Sequence, residues 1–283
     1  LYFVFAGGQI AVIITDFIQG TFVNIVLVTI VIYFVFLFDF EVIYTALQTA
    51  PADASMINPF KTSAARDFNM WYFLIGIFGN IYNRMSHQGE QAYNSSAKSA
   101  HEAKMGQALS NWREVPRVVF LLFIPICAYT VMHHANFLEH SAEVNRTLAG
   151  IDGEAIRSQL TVPLVLTKLL PVGLIGAFVA VMLAAFVSTH DTYLHSWGSI
   201  FIQDVVLPLR KKPLTPEQHI KFLRYSILGV AVFVFFFILL FWQSQYILLF
   251  FAITGAIFFG GSGAVIIGGL YWKRGTTAAA YAS

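Results

Sequence analysis

Ser188 and Thr189 are neighbouring hydroxyls at the end of an uncharged run, Val172 to Thr189, and the next turn adds Asp191, Thr192 and His195 on the side of Ser188. Sodium is a hard cation that takes several oxygen ligands, and paired hydroxyls with carbonyls from a broken helix supply them inside a membrane. The same two hydroxyls could instead bond back to the preceding helical turn, and residue type leaves both readings open. Asp191 is harder to explain as structure. An acid near the centre of a span costs about 2.5 to 3.5 kcal/mol on insertion scales, so it is expected to face a cavity or a partner. Asp16 lies nearer a membrane surface, where either a snorkelling structural acid or a site residue fits. Asn80 and Asn83, one turn apart beside Gly79, would contact a solute if their helix unwinds there, because irregular backbone at membrane depth lines cavities. The alternative is a span that simply ends at Asn80. His190 and His195 have no cysteine or further carboxylate at ligand spacing, so no metal centre is expected.

Such groups need elements that cross lipid, and the composition is that of a membrane protein. The 283 residues are 57% apolar and 11% charged, against roughly 25% charged in soluble domains. The net charge of +2 is scattered rather than gathered, which excludes capture of nucleic acid. The single cysteine, Cys127, rules out a disulfide framework and reads as a buried thiol. Six stretches approach the ~20 apolar residues that a spanning helix requires: 9–38, 68–85, 116–135, 171–206, 220–243 and 246–272. The second reads as short and broken, the third as kinked at Pro125, and the sixth as bent near Gly260, Gly261 and Gly263. In the fourth, Gly176, Ala180, Ala184 and Ser188 recur every four residues beside a second row of Gly173, Ala177, Ala185 and Thr189. Small residues in rows admit a neighbouring backbone closely, so this helix is expected to pack centrally.

Alternating spans place 12 of the 17 basic residues on one side and five on the other. Cytoplasmic loops carry the excess of Lys and Arg, so both chain ends are expected to be cytoplasmic. Residues 94–111 read as a surface helix. Thr215-Pro216-Glu217-Gln218 reads as a capping box that starts the fifth span before it enters the bilayer. Residues 136–170 should hold one or two short interfacial helices, with Gly150 and Gly153 as breakers. No initiator methionine or basic n-region is present, so no signal peptide is read, and the chain is taken as an internal piece of a longer protein. Gly261-Ser262-Gly263 lacks the remainder of a dinucleotide or phosphate-loop fingerprint, and no nucleophile elbow or zinc-protease helix occurs, so no enzyme is expected.

Four stretches together resemble the sodium:solute symporter family, which includes sodium/glucose and sodium/proline cotransporters. They are Ala6-Gly7-Gly8-Gln9 with Thr15-Asp16 and Gln19; Ser96-Ala97-Lys98-Ser99 with Glu102-Ala103-Lys104-Met105-Gly106; Leu183 through Ser196; and Gly269-Leu270-Tyr271-Trp272-Lys273-Arg274. The resemblance implies an all-α membrane protein of about six spans, helices five to ten of a leucine-transporter-type 5+5 inverted repeat, with the N-terminal helices missing from this chain. It implies a single transmembrane domain over 1–283, and sodium-coupled symport of a small organic solute by alternating access across the plasma membrane. The solute would be of the sugar, polyol, amino acid or carboxylate class, and sodium would be the co-transported ion. Ala185 through its carbonyl, and Ser188 and Thr189 through their hydroxyls, would bind sodium, with Asp16 linked to its binding or inward release. Asn80, Asn83, Gln88 and Asp191 would line the solute pathway. One departure concerns specificity: sugar carriers place an aromatic inner gate where Asn83 aligns, and Tyr82 is one residue away. A proton-coupled carrier or uniporter on the same fold, or the solute-sensing module of a signalling protein, are the alternatives.

Overall fold

Lipid offers no hydrogen bonds, so every backbone N–H and C=O in a span must find its partner within the chain, and helices achieve this one segment at a time. A computed structural model describes residues 2–64, 69–87, 91–240 and 246–283, and every regular element among them is helical. In chain order these are α1 Tyr2–Leu37, α2 Phe40–Gln48, α3 Met70–Ser86, α4 Gln91–Ser96, α5 Ala100–His133, α6 Leu138–Ala149 and α7 Glu154–Leu169. There follow α8 Val172–Ile200, a π-helical turn Phe201–Val206, α9 Leu207–Leu209, α10 Pro216–Leu240, α11 Ile247–Tyr271 and α12 Thr277–Ala282. The chain is an all-α membrane protein.

Four described stretches are long and apolar enough to cross a membrane: Gly7–Leu37, Ala100–His133, Val172–Leu209 and Pro216–Leu240. A fifth is the bent pair Ile247–Ile257 and Phe259–Tyr271, which turns by 50° just ahead of the glycines expected to bend it. The second expected stretch, 68–85, forms α3. Its 17 residues reach about 25 Å at 1.5 Å per residue, short of the ~30 Å hydrocarbon core. α3 also runs unbroken through Gly79 and Asn80, where unwinding was expected. An isolated glycine costs a helix only about 1 kcal/mol, too little to open one whose neighbours favour it. The surface helix read over 94–111 is not a separate element either: α5 starts at Ala100 and continues into the apolar span. The helix continues through Pro116, and the ion pair of Glu114 with Arg117, three residues apart, lies across the junction.

The chain divides into two units. Unit one comprises Leu1–Tyr33, Gly89–Leu121 and Leu170–Gln243. Within it, α1 is interrupted at Gly8, whose φ of 58° and ψ of −152° no side-chain-bearing residue adopts comfortably. Beyond the break, Thr15 bonds back to the carbonyls of Ala11 and Val12 and Thr21 to that of Phe17, so these hydroxyls stay inside the helix. Val4, Val12, Leu194 and Ile227 form a buried cluster, flanked by Tyr93, Leu223, Val230 and Ala231. α8 meets α10 at Gly198. A Cβ there would lie 2.8 Å from Cγ1 of Ile227 and 3.3 Å from its backbone nitrogen, while Ser226 donates its hydroxyl to the Gly198 carbonyl at 3.1 Å. Gly198→Val is therefore expected to lower the thermal stability of the full chain in detergent by the ~1 to 3 kcal/mol typical of overpacking. An unshifted melting curve would mean that the two helices are not held at this point. α10 starts as the capping box requires: the Thr215 backbone nitrogen donates to Oε1 of Gln218 at 3.2 Å, and the Gln218 nitrogen donates to Oγ1 of Thr215 at 3.3 Å.

Unit two comprises Phe34–Gln88, Leu122–Leu169 and Ser244–Ser283. The rings of Phe34, Phe38 and Phe137 pack in series at centroid distances of 5.6 and 5.3 Å. α6 and α7 are the two short helices expected over 136–170, with Gly150 ending the first and Gly153, at φ 92°, preceding the second. Lys168 Nζ lies 2.9 Å from Oε2 of Glu143 across them. The hydrogen bond and charge of Lys168 hold the Glu143 carboxyl below the usual carboxylate range. This tie is thus fully present at neutral pH and is lost as pH falls through that depressed value. The Tyr82 hydroxyl donates at 2.8 Å to the carbonyl of Phe259 and so links α3 to α11.

Candidate functional site

The site in unit one grows from three short segments. α1 presents Asp16 two turns beyond the Gly8 break. α8 presents Ser188 and Thr192, four residues apart and therefore on one face. α4, only six residues long, presents Tyr93. Asp16 Oδ1 accepts a hydrogen bond from Ser188 Oγ at 2.7 Å. Asp16 Oδ2 accepts from Tyr93 Oη at 2.6 Å and from Thr192 Oγ1 at 3.1 Å. Tyr93 Oη and Thr192 Oγ1 are themselves 2.9 Å apart. All four residues are half-buried.

Counting hydrogens shows what this arrangement can do. Two hydroxyl hydrogens, those of Tyr93 and Thr192, serve three contacts in the triangle with Oδ2, so one contact in the triangle always lacks a hydrogen. With Ser188, three hydroxyl oxygens surround one carboxylate, five oxygens in all. An oxygen-only, net negative cluster of this kind suits a hard monovalent or divalent cation and offers nothing to a soft one. The hydroxyls can rotate to turn lone pairs toward such an ion without any helix moving.

Of the residues anticipated from sequence, the structure brings together Asp16 and Ser188. Thr189 and Ala185 lie on the adjacent, exposed face of α8. The small-residue rows are correspondingly open. Where a Cβ on Gly173 or Gly176 would sit, no described atom lies within 4 Å, so the close central packing expected of these rows is not made there. The buried face of α8 is its C-terminal half, with Asp191 at 1% exposure, Leu194, His195, Ser196 and Gly198. Asp191 thus sits inside unit one, one residue before Thr192. Asn80 and Asn83 belong to unit two, both exposed on α3. Gln88 lies outside the described residues. Tyr93 was not anticipated. A lone tyrosine in a polar segment carries no pattern, and only the fold brings it to Asp16, 77 residues away.

The family model described as the sodium:solute symporter family matches residues 1–283, the whole chain. Neither a curated protein nor a solved structure gives a significant match.

Proposed function

Because the chain belongs to the sodium:solute symporter family, a family of transporters rather than enzymes, we propose that it carries a small organic solute across the plasma membrane by sodium-driven alternating access. The observation that carries this reading is the bond from Ser188 to Asp16, which ties a half-buried carboxylate on α1 to a hydroxyl on α8 within two apolar helices. Sodium is the cargo. Ser188 and Thr189 offer it hydroxyl oxygens and Ala185 a carbonyl, while Asp16 supplies the charge from behind Ser188. A hydroxyl whose oxygen coordinates a cation donates its hydrogen more strongly, so sodium at Ser188 would tighten the bond to Asp16.

Release inward reverses this. As sodium leaves, the hydroxyls of Ser188, Thr192 and Tyr93 would remain as the donors to Asp16. Tyr93 then helps to keep the half-buried carboxylate satisfied between cycles. Asn80, Asn83 and Gln88, and separately Asp191, are the residues proposed to meet the solute. The solute is of the sugar, polyol, amino acid or carboxylate class, and both ends of this chain face the cytoplasm. Sodium and solute must each bind the occluded state more tightly than the open ones, because a ligand shifts an equilibrium only by its differential affinity.

The test is uptake of labelled solutes by the intact carrier in proteoliposomes, with an imposed sodium gradient or with choline in place of sodium. Accumulation that follows the sodium gradient is expected. Uptake indifferent to choline substitution would reassign the protein as a uniporter or proton-coupled carrier, and binding without uptake would favour a sensor.

A further inference from the structure

α10 divides sharply. Its first three turns hold Glu217, Lys221 and Arg224, and residues 225–240 carry no charge. Arg224 therefore marks the level at which water gives way to hydrocarbon. Just before α10 stand Arg210, Lys211 and Lys212, so residues 210–224 hold five Lys and Arg against one acid. Among the described residues none of these five is in an ion pair with an acid; three lie instead over aromatic rings. Arg210 is 5.5 Å from the ring centre of Phe222, Lys221 6.0 Å from that of Tyr225, and Arg224 5.6 Å from that of Phe5. An aromatic face orients a cation without neutralising it. Phe5, Ile220 and Tyr225 also wall, with Glu217, Lys221 and Arg224, a cleft of about 370 Å³ that is open on one side. All of these residues belong to unit one.

We propose that this cleft binds the phosphate of an anionic lipid headgroup from the cytoplasmic leaflet. Clusters of four to eight Lys and Arg beside the cytoplasmic end of a span attract anionic lipids. Here a shaped cavity at the right depth adds a place for the headgroup. Phe5 and Ile220 are the cleft's apolar walls, Tyr225 lies one residue beyond Arg224 on the bilayer side, where acyl chains would lie, and Lys221 and Arg224 face the phosphate as a point charge and a planar fork. A freely soluble phosphate would have no use for the apolar walls. The lipid would also hold the start of α1, just ahead of the Gly8 break, against the start of α10.

The experiment uses the full chain in neutral detergent. Short-chain phosphatidylglycerol, short-chain phosphatidylcholine or inorganic phosphate is added, with binding read by native mass spectrometry and by the melting temperature. Phosphatidylglycerol should bind and raise the melting temperature, while phosphatidylcholine and inorganic phosphate should not. Each interfacial cation contributes roughly a fivefold factor in affinity, so Lys221→Gln with Arg224→Gln should weaken phosphatidylglycerol binding about 30-fold. Lys211→Gln with Lys212→Gln removes the same charge away from the cleft and should weaken it much less. Equal losses in the two pairs would reduce the effect to diffuse attraction and overturn the site, as would phosphatidylcholine binding as well as phosphatidylglycerol. A shift reproduced by inorganic phosphate alone would overturn the lipid as occupant.

Discussion

Asp16→Asn should raise the sodium concentration required for half-maximal uptake about a hundredfold, with little change in the maximal rate once sodium saturates. The size follows from electrostatics. A cation bound at Ser188 Oγ sits roughly 5 Å from the carboxylate, since Oγ is itself 2.7 Å from Oδ1. At an effective dielectric of about 20 this attraction is worth about 3 kcal/mol, or a factor of ~10² in affinity. Asparagine keeps one oxygen for the hydroxyls of α4 and α8 and loses the charge, so the helices stay tied while the field disappears. Sodium dependence of uptake, measured at fixed solute, reads the first effect, and the rate at saturating sodium reads the second. Tyr93→Phe is the matching control. It removes one donor from Oδ2 and leaves the charge less compensated, so sodium affinity should rise or stay level. If Asp16→Asn lowered the sodium affinity and the maximal rate alike, or if Tyr93→Phe reproduced it, Asp16 would be a structural anchor rather than a source of field.

The readable parts of this chain are those in which cause and effect are close in sequence. The Thr215 and Gln218 cap is made by residues three apart, and the uncharged run that becomes α10 needs no partner to be recognised. Gly8 is legible only as part of a motif; the break it makes in α1 is a backbone fact that composition does not announce. Asp16 and Ser188 are 172 residues apart, and no periodicity relates them. Family resemblance pointed to both, but neither the resemblance nor the residue types said that they touch. α3 stays helical through Gly79 and Asn80 for a physical reason. Glycine and asparagine in a short apolar stretch permit unwinding but do not require it, and helix hydrogen bonds persist wherever nothing better competes. The rows of small residues on α8 show the same limit, because a pattern that allows close approach does not supply the neighbour.

The double variant Ser188→Ala with Thr189→Ala should abolish sodium-driven uptake while the protein still inserts. Alanine is the better helix former and the less polar residue, so neither folding into the bilayer nor helix continuity suffers from the exchange. The single variants separate two roles. Ser188 offers an oxygen to sodium and at the same time donates to Asp16, so Ser188→Ala should cost both an ion ligand and the positioning of the carboxylate. Thr189 is exposed on the neighbouring face, and Thr189→Ala should cost only a ligand. Ser188→Ala is therefore expected to be the more damaging of the two, and combining it with Asp16→Asn should cost little beyond either change alone, because residues in one network are not additive. Sodium-gradient uptake in proteoliposomes, compared at equal amounts of inserted protein, measures all four. Unchanged uptake in the double variant would remove the cation from this end of α8, and full additivity of Ser188→Ala with Asp16→Asn would show that the hydrogen bond between them does not carry the coupling.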